Sequence, residues 1–158
     1  MPHDGSPESQ NQLPLSSTIE KRIPADYRWV RRAIHEVEDE FVAAGIGTED
    51  IGSIAIVLAE ALNNVVEHAF DSNEGQEITL VIRARRQSLL FEVRDSGRPM
   101  PKGRAPMGNH PMSEFNQFDT MPEGGYGWFL IRELVQDLVY DRQNEENILF
   151  FRYRLSDV

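Results

Sequence analysis

Glu60, Asn64 and His68 stand four residues apart in the stretch Leu58-Ala59-Glu60-Ala61-Leu62-Asn63-Asn64-Val65-Val66-Glu67-His68-Ala69. At roughly 100° per residue, that spacing stacks a carboxylate, an amide and an imidazole into one ridge of a helix. Ile51, Ile54, Leu58, Ala61, Leu62, Val65 and Ala69 gather on the adjacent face, which must be buried. Polar groups at the edge of a core face a ligand or a partner. Glu60 is placed to act as a general base toward an attacking hydroxyl or water. Asn64 offers a neutral oxygen suited to a hard cation that keeps several waters and is shared with phosphates. An ordinary solvated helix face has the same pattern, so the neighbouring segments must decide.

Two of them carry complementary chemistry. Phe91-Glu92-Val93-Arg94-Asp95-Ser96-Gly97-Arg98-Pro99 is an apolar strand that ends in an acidic turn. A carboxylate at Asp95 can accept from the exocyclic amine of adenine, and Gly97 has no side chain to keep a base from the backbone. Glu123-Gly124-Gly125-Tyr126-Gly127-Trp128-Phe129-Leu130-Ile131 is a glycine cluster opening an apolar helix, where free N–H groups and the positive helix end can cradle phosphate. A flexible turn before a helix is the plain alternative there. No Gly-x-x-x-x-Gly-Lys-Ser/Thr run is present, which excludes a P-loop, and no His-x-x-x-His pair suggests zinc. His35 reads as a surface histidine on an amphipathic helix.

The elements that must position these groups follow from periodicity and punctuation. Ser16 to Pro24 alternates as an edge strand, and Asp26 is placed to cap a first helix over Tyr27 to Ala44. Trp29 or Val30, Ala33, Ile34, Val37, Phe41 and Val42 recur at helical spacing along it, and Gly45 and Gly47 stop it. The second helix starts at Thr48 and ends near Phe70. Glu77 to Ala84 and Ser88 to Arg94 read as an antiparallel hairpin joined by Arg-Arg-Gln. Arg98 to Glu123 has no periodicity and many prolines, the mark of a functional lid or a disordered insertion. A third helix over Tyr126 to Val135 is followed by strands at Asp137 to Arg142 and Asn147 to Leu155. The expected fold class is α+β: three helices packed on one face of a largely antiparallel sheet.

Composition narrows the function classes. The 158 residues suit one domain able to bury a core unaided, at 15–158, after a tail over 1–14 rich in Pro, Ser, Asn and Gln. That tail has no apolar core and is no signal peptide. With 26 acidic against 16 basic residues, the formal charge of −10 argues against general nucleic-acid binding and toward protein partners. The arginines at 28, 31 and 32 and at 83, 85 and 86 form short basic patches; the first is a candidate docking surface for a partner. No apolar run approaches the roughly 20 residues of a bilayer span. The absence of cysteine rules out disulfides and thiol chemistry and fits a cytoplasmic protein.

Together, Glu60-x-x-x-Asn64-x-x-x-His68, Asp95-x-Gly97-x-Pro99 and Gly125-x-Gly127 resemble, in this order, the three boxes of the GHKL, or Bergerat-fold, ATPase superfamily. The resemblance extends over about Ser16 to Arg154 and is strongest to the single-domain anti-sigma factor serine/threonine kinases. It implies the histidine-kinase-like ATPase fold, with Asn64 coordinating Mg²⁺, Asp95 binding adenine and Gly97 lining the base pocket. It also implies Gly125 and Gly127 over the phosphates, Glu60 as the catalytic base and His68 as the end of the first box. Its partners would be an anti-anti-sigma (STAS-domain) protein, phosphorylated on Ser or Thr, and a sigma factor or equivalent regulator; a homodimer is left open. An ATP-sensitive binding module of the same fold without kinase activity is the alternative. A histidine kinase would need an upstream dimerising hairpin, and a topoisomerase or chaperone further domains. Trp128 departs from the smaller aliphatic residue usual after the second glycine, and Lys102 and Arg104 are candidate γ-phosphate contacts from the lid.

Overall fold

The computed structural model describes residues 17–69, 75–108 and 125–157. The tail, most of the lid and Gly124 therefore lie outside the described residues. Five strands form one sheet: β1 (Thr18–Pro24), β2 (Glu77–Arg85), β3 (Ser88–Asp95), β4 (Gln136–Gln143) and β5 (Glu146–Arg154). Their order is β1-β2-β3-β5-β4 with every neighbour antiparallel, so β1 is the edge strand that its alternation predicts. Three helices, α1 (Tyr27–Ala43), α2 (Thr48–His68) and α3 (Gly125–Leu134), cover one face. This is the expected α+β arrangement. No helix among the described residues is long and apolar enough to cross a membrane.

Local chemistry fixes the helix ends. Asp26 caps α1, its Oδ1 accepting from the Arg28 N–H at 2.8 Å, which satisfies one of the donors that a helix start leaves free. At the other end Ile46 N–H reaches the Phe41 carbonyl and Gly45 N–H the Val42 carbonyl, a Schellman closure. Gly45 adopts the left-handed φ of 79° that this closure requires. Gly47 gives α2 no side-chain cap; Glu49 and Asp50 in its first turn complement the helix dipole instead.

The strands contribute alternate residues to the core. Ile78, Leu80 and Ile82 of β2, Leu89, Phe91 and Val93 of β3, and Leu149 and Phe151 of β5 meet Val30, Val37 and Phe41 of α1 and Leu58 and Leu62 of α2. Phe91 and Phe151, paired in register, stack with ring centroids 5.0 Å apart. The predicted apolar stripe of α2 is buried along its length, with Val57 added to it. On α1 the buried residue is Val30 and not Trp29. Val42, expected on the same face, is 65% exposed because it stands about 100° round the helix from Phe41, which is buried in the same turn.

Register is what carries the core pattern to the site. The inward row of β3 runs Leu89, Phe91, Val93, Asp95, and that of β5 runs Tyr153, Phe151, Leu149, Asn147 opposite it. The apolar rows thus end in a polar pair, Asp95 facing Asn147, at the mouth of the core.

Candidate functional site

Two adjoining cavities open where α2, α3 and the β3 end meet. The larger, about 490 Å³, is lined by Asn64, His68, Asp95, Trp128 and Asn147, with Arg98 to Pro101 and Pro106 along one side. The smaller, about 240 Å³, is lined by Glu60, Asn63, Asn64, Glu67, His68, Tyr126, Gly127 and Trp128. Asn64, His68 and Trp128 belong to both and form the wall between them.

The predicted polar ridge is therefore a shared boundary, with Glu60 on one side and Asp95 on the other. Glu60 and Asn64 are half-buried and His68 is exposed, with Nε2 3.7 Å from a Glu67 oxygen. A side chain placed on Gly127 would collide with the Glu60 carboxylate, so the glycine is what lets Glu60 lie against α3. Gly125 and Gly127 fall inside the first turn of α3 and do not precede it: the helix begins one residue earlier than its apolar pattern indicates. At Gly97 the close neighbour is α2. A Cβ there would strike the backbone and side chain of Ala69, so the missing side chain serves helix-to-loop packing, where the sequence suggested room for a base.

Asp95 is 7% exposed, and its Oδ1 accepts from both the Gly97 N–H and Asn147 Nδ2, each at 2.9 Å. Burial pushes its carboxyl above the ordinary range. The bonds from Asn147 and Gly97 and the charge of Arg142 work in the opposite direction, favouring the ionised form, while Glu146 adds to the upward push.

Asn147, which the sequence marks only as a strand start, is the centre of this network. Its Oδ1 accepts from Tyr140 Oη at 2.5 Å and Arg142 Nη1 at 2.7 Å; its Nδ2 donates to Asp95 and to the Arg98 carbonyl at 2.9 Å. Tyr140 Oη in turn accepts from the Met100 N–H at 3.0 Å, and Arg142 donates to the Gly97 carbonyl at 3.0 Å. No short motif signals these residues, because the β3–β5 pairing that assembles them spans 52 positions.

The segment that follows β3 is fastened at both ends of the larger cavity. Arg98 N–H donates to the Ala69 carbonyl at 2.7 Å, tying the segment to the end of α2. Arg132 of α3 donates to the Pro106 and Ala105 carbonyls at 2.8 and 3.0 Å. Lys102 and Arg104 are exposed on this segment and line neither cavity. Trp128, the departure from the familiar pattern, is 4% exposed and fills the partition.

No group of three His, Asp or Glu side chains suited to a metal exists among the described residues. The oxygen donors at the partition, Asn64 with Glu60 beside it, fit a hydrated Mg²⁺ that completes its shell from water and phosphate.

Comparison with known proteins gives concordant likenesses. A family model for the histidine kinase-like ATPase domain matches residues 23–153. A serine-protein kinase RsbW of Oceanobacillus iheyensis is 25% identical over 135 residues, covering 85% of each chain. The RsbW of Staphylococcus epidermidis is 26% identical over 136 residues, covering 85% of this chain and 86% of that one. A solved structure of the RsbU and RsbW domains of a Mycobacterium tuberculosis protein superposes on 90% of this chain with a TM-score of 0.59 at 14% identity, a likeness of fold. The chain spans about a third of that larger protein, 34% of its length.

Proposed function

This chain belongs to the histidine kinase-like ATPase domain family, and from that footing we propose that it is an anti-sigma factor-type protein serine/threonine kinase using Mg-ATP. The observation that carries the reading is the pair of cavities divided by Asn64: Asp95 stands in the one large enough for a base, Glu60 and Gly127 in the other. The ATP-binding unit is taken as residues 15–158 with a lid at 98–123, working in the cytoplasm. The relatives named serine-protein kinase RsbW support the kinase activity; the resemblance of the three boxes adds a partner switch, in which an anti-anti-sigma (STAS-type) protein is the substrate and a sigma factor or equivalent regulator is the sequestered partner.

In this reading Asp95 accepts from the adenine amine, Gly97 keeps Asp95 in place, and the N–H groups at Gly125 and Gly127 meet phosphate at the positive end of α3. Asn64 is the protein's oxygen for Mg²⁺, which supplies charge neutralisation on the phosphates. Glu60 takes the proton from the partner's serine or threonine hydroxyl as that oxygen bonds to the γ-phosphorus and ADP leaves. His68 bounds both cavities and orders their polar edge. Phosphoryl transfer asks a protein chiefly for positioning and charge stabilisation, which a site with few charged groups can supply.

Binding and chemistry are tested separately. In calorimetry Asn64→Ala and Asp95→Asn are each expected to weaken Mg-ATP by at least tenfold; unchanged affinity in both sinks the nucleotide reading. Glu60→Gln is expected to keep ATP affinity within a few-fold while phosphoserine or phosphothreonine formation on the cognate partner falls roughly 10²- to 10⁴-fold. Wild-type protein that binds Mg-ATP and the partner yet leaves the partner's mass unchanged would make it an ATP-sensitive clamp and not a kinase.

A further inference from the structure

From the network around Asn147 we infer that Tyr140, Asn147 and Arg142 are positioning residues that fix the hydrogen-bond polarity of the larger cavity, so that Asp95 presents an acceptor and selects a 6-aminopurine over a 6-oxopurine. The inference rests on the nucleotide reading above and adds a selection device to it.

The polarity follows from groups that can only donate. Met100 N–H occupies the Tyr140 oxygen, so the tyrosine proton is left to point at Asn147 Oδ1. Arg142 has donors only and meets the same oxygen. With two donors facing it, that end of the amide must be the carbonyl, and Nδ2 must face Asp95 and the Arg98 carbonyl. The alternative amide orientation would set Nδ2 against two donors and Oδ1 against a carboxylate and a carbonyl, four repulsive contacts in a residue only 4% exposed.

The consequence reaches the ligand through Asp95. Its Oδ1 is taken by Asn147 and by the Gly97 N–H, and no bond to Oδ2 exists among the described residues. Asp95 lines the cavity, so Oδ2 is the acceptor available to a bound base. Adenine presents an N6 amine, a donor; guanine presents an O6 carbonyl, which would face a second acceptor. Sites built on such hydrogen bonds discriminate strongly because the wrong ligand leaves buried groups unpaired. Tyr140 and Arg142 come from β4 and Asn147 from β5, so the hairpin after α3 sets the polarity of a carboxylate on β3.

The test is a titration of the full chain with Mg-ATP and Mg-GTP, comparing wild type, Asn147→Asp and Tyr140→Phe, with thermal unfolding as the check on folding. Wild type is expected to favour ATP at least tenfold. Asn147→Asp places a second carboxyl against Asp95 Oδ1; the proton the two must share lies between them and leaves Oδ2 the oxygen of a neutral acid, a weaker acceptor for an amine, so the ATP-to-GTP ratio is expected to shrink several-fold. Tyr140→Phe removes one of the two donors that orient the amide and is expected to narrow the ratio a few-fold. It also decides the matter should Asn147→Asp fail to fold. Variants that weaken both nucleotides by the same factor, or a wild type with no preference between them, would overturn the inference and leave the nucleotide reading standing. A wild type that binds neither would overturn that reading and the inference with it.

Discussion

Burial holds the Asp95 carboxyl above its ordinary value even though Asn147, the Gly97 N–H and Arg142 all favour the charged form. The folded chain therefore binds this proton more tightly than the unfolded chain. Stability from this group is greatest below the unfolded value of 3.8 and is lost as pH rises through the higher folded value, above which the full cost is present. Asp95→Asn removes that cost and can keep Oδ1 toward Asn147 and Gly97. Its ligand-free melting temperature at pH 7.5 is expected to equal or exceed wild type in calorimetry, while ATP binding weakens. A lower melting temperature would show that the charge stabilises the empty protein. The two glycines form a second contrast. An alanine at 97 meets the backbone of Ala69, which cannot move aside, and is expected to cost about 1–3 kcal/mol in urea unfolding. An alanine at 127 meets only the mobile end of Glu60, so Gly127→Ala should fold normally and lose at least tenfold in phosphoryl transfer. Equal stability losses in the two variants would contradict this. Glu60, Asn64, His68 and Asp95 were legible in the sequence because each lies within a single element or turn. Asn147 was not, since its partners are joined only by strand register.

Helices α1, α2 and α3 lie within a residue or two of where periodicity, Asp26 and Gly45 place them, and the β2–β3 hairpin follows from its alternation. Those signals are local, and local chemistry decides them. The contacts that close the structure are not local. Asp50, in the first turn of α2, is 6% exposed and accepts from Tyr153 Oη, Ser156 N–H and Ser156 Oγ at 2.9, 3.0 and 2.9 Å. It clasps the segment after β5 to a helix more than 100 positions earlier, as the separation of 103 to Tyr153 shows. In the sequence the same residue reads as one more acidic group at a helix start. Burial also raises the Tyr153 hydroxyl above its ordinary range, which keeps it a donor to this carboxylate. Asp50→Ala leaves a tyrosine hydroxyl and a backbone N–H without their acceptor and is expected to cost about 3 kcal/mol. Chemical denaturation reads the loss directly. Because the clasp lies away from both cavities, ATP affinity of the folded fraction should stay within about twofold; a larger fall would mean that the β5 end transmits to the Asp95–Asn147 pair.

At the scale of the whole molecule, the charge of −10 acts on everything at once. Self-repulsion of that size opposes compaction, and it competes with a small set of ion pairs that favour it. Lys21 on β1 sits 3.3 Å from Glu36 and 2.9 Å from Glu40 on α1, pinning the edge strand to the first helix, and Glu92 lies between Arg83 and Arg94 on the sheet. The pairs are short-ranged and partly exposed, worth about 0–1 kcal/mol each. The net repulsion acts over the whole surface and is the term most sensitive to ionic strength. Raising salt from 0.01 to 0.1 M shortens the screening length from about 30 to about 10 Å, which removes long-range repulsion before it touches contacts of 3–4 Å. The ligand-free melting temperature is therefore expected to rise by a few degrees across that interval. Lys21→Met should lower the curve and steepen it slightly, since both of its pairs are lost and the acidic excess grows by one charge. A melting temperature that falls with salt would mean that the ion pairs outweigh the net charge, and Lys21→Met would then flatten the dependence.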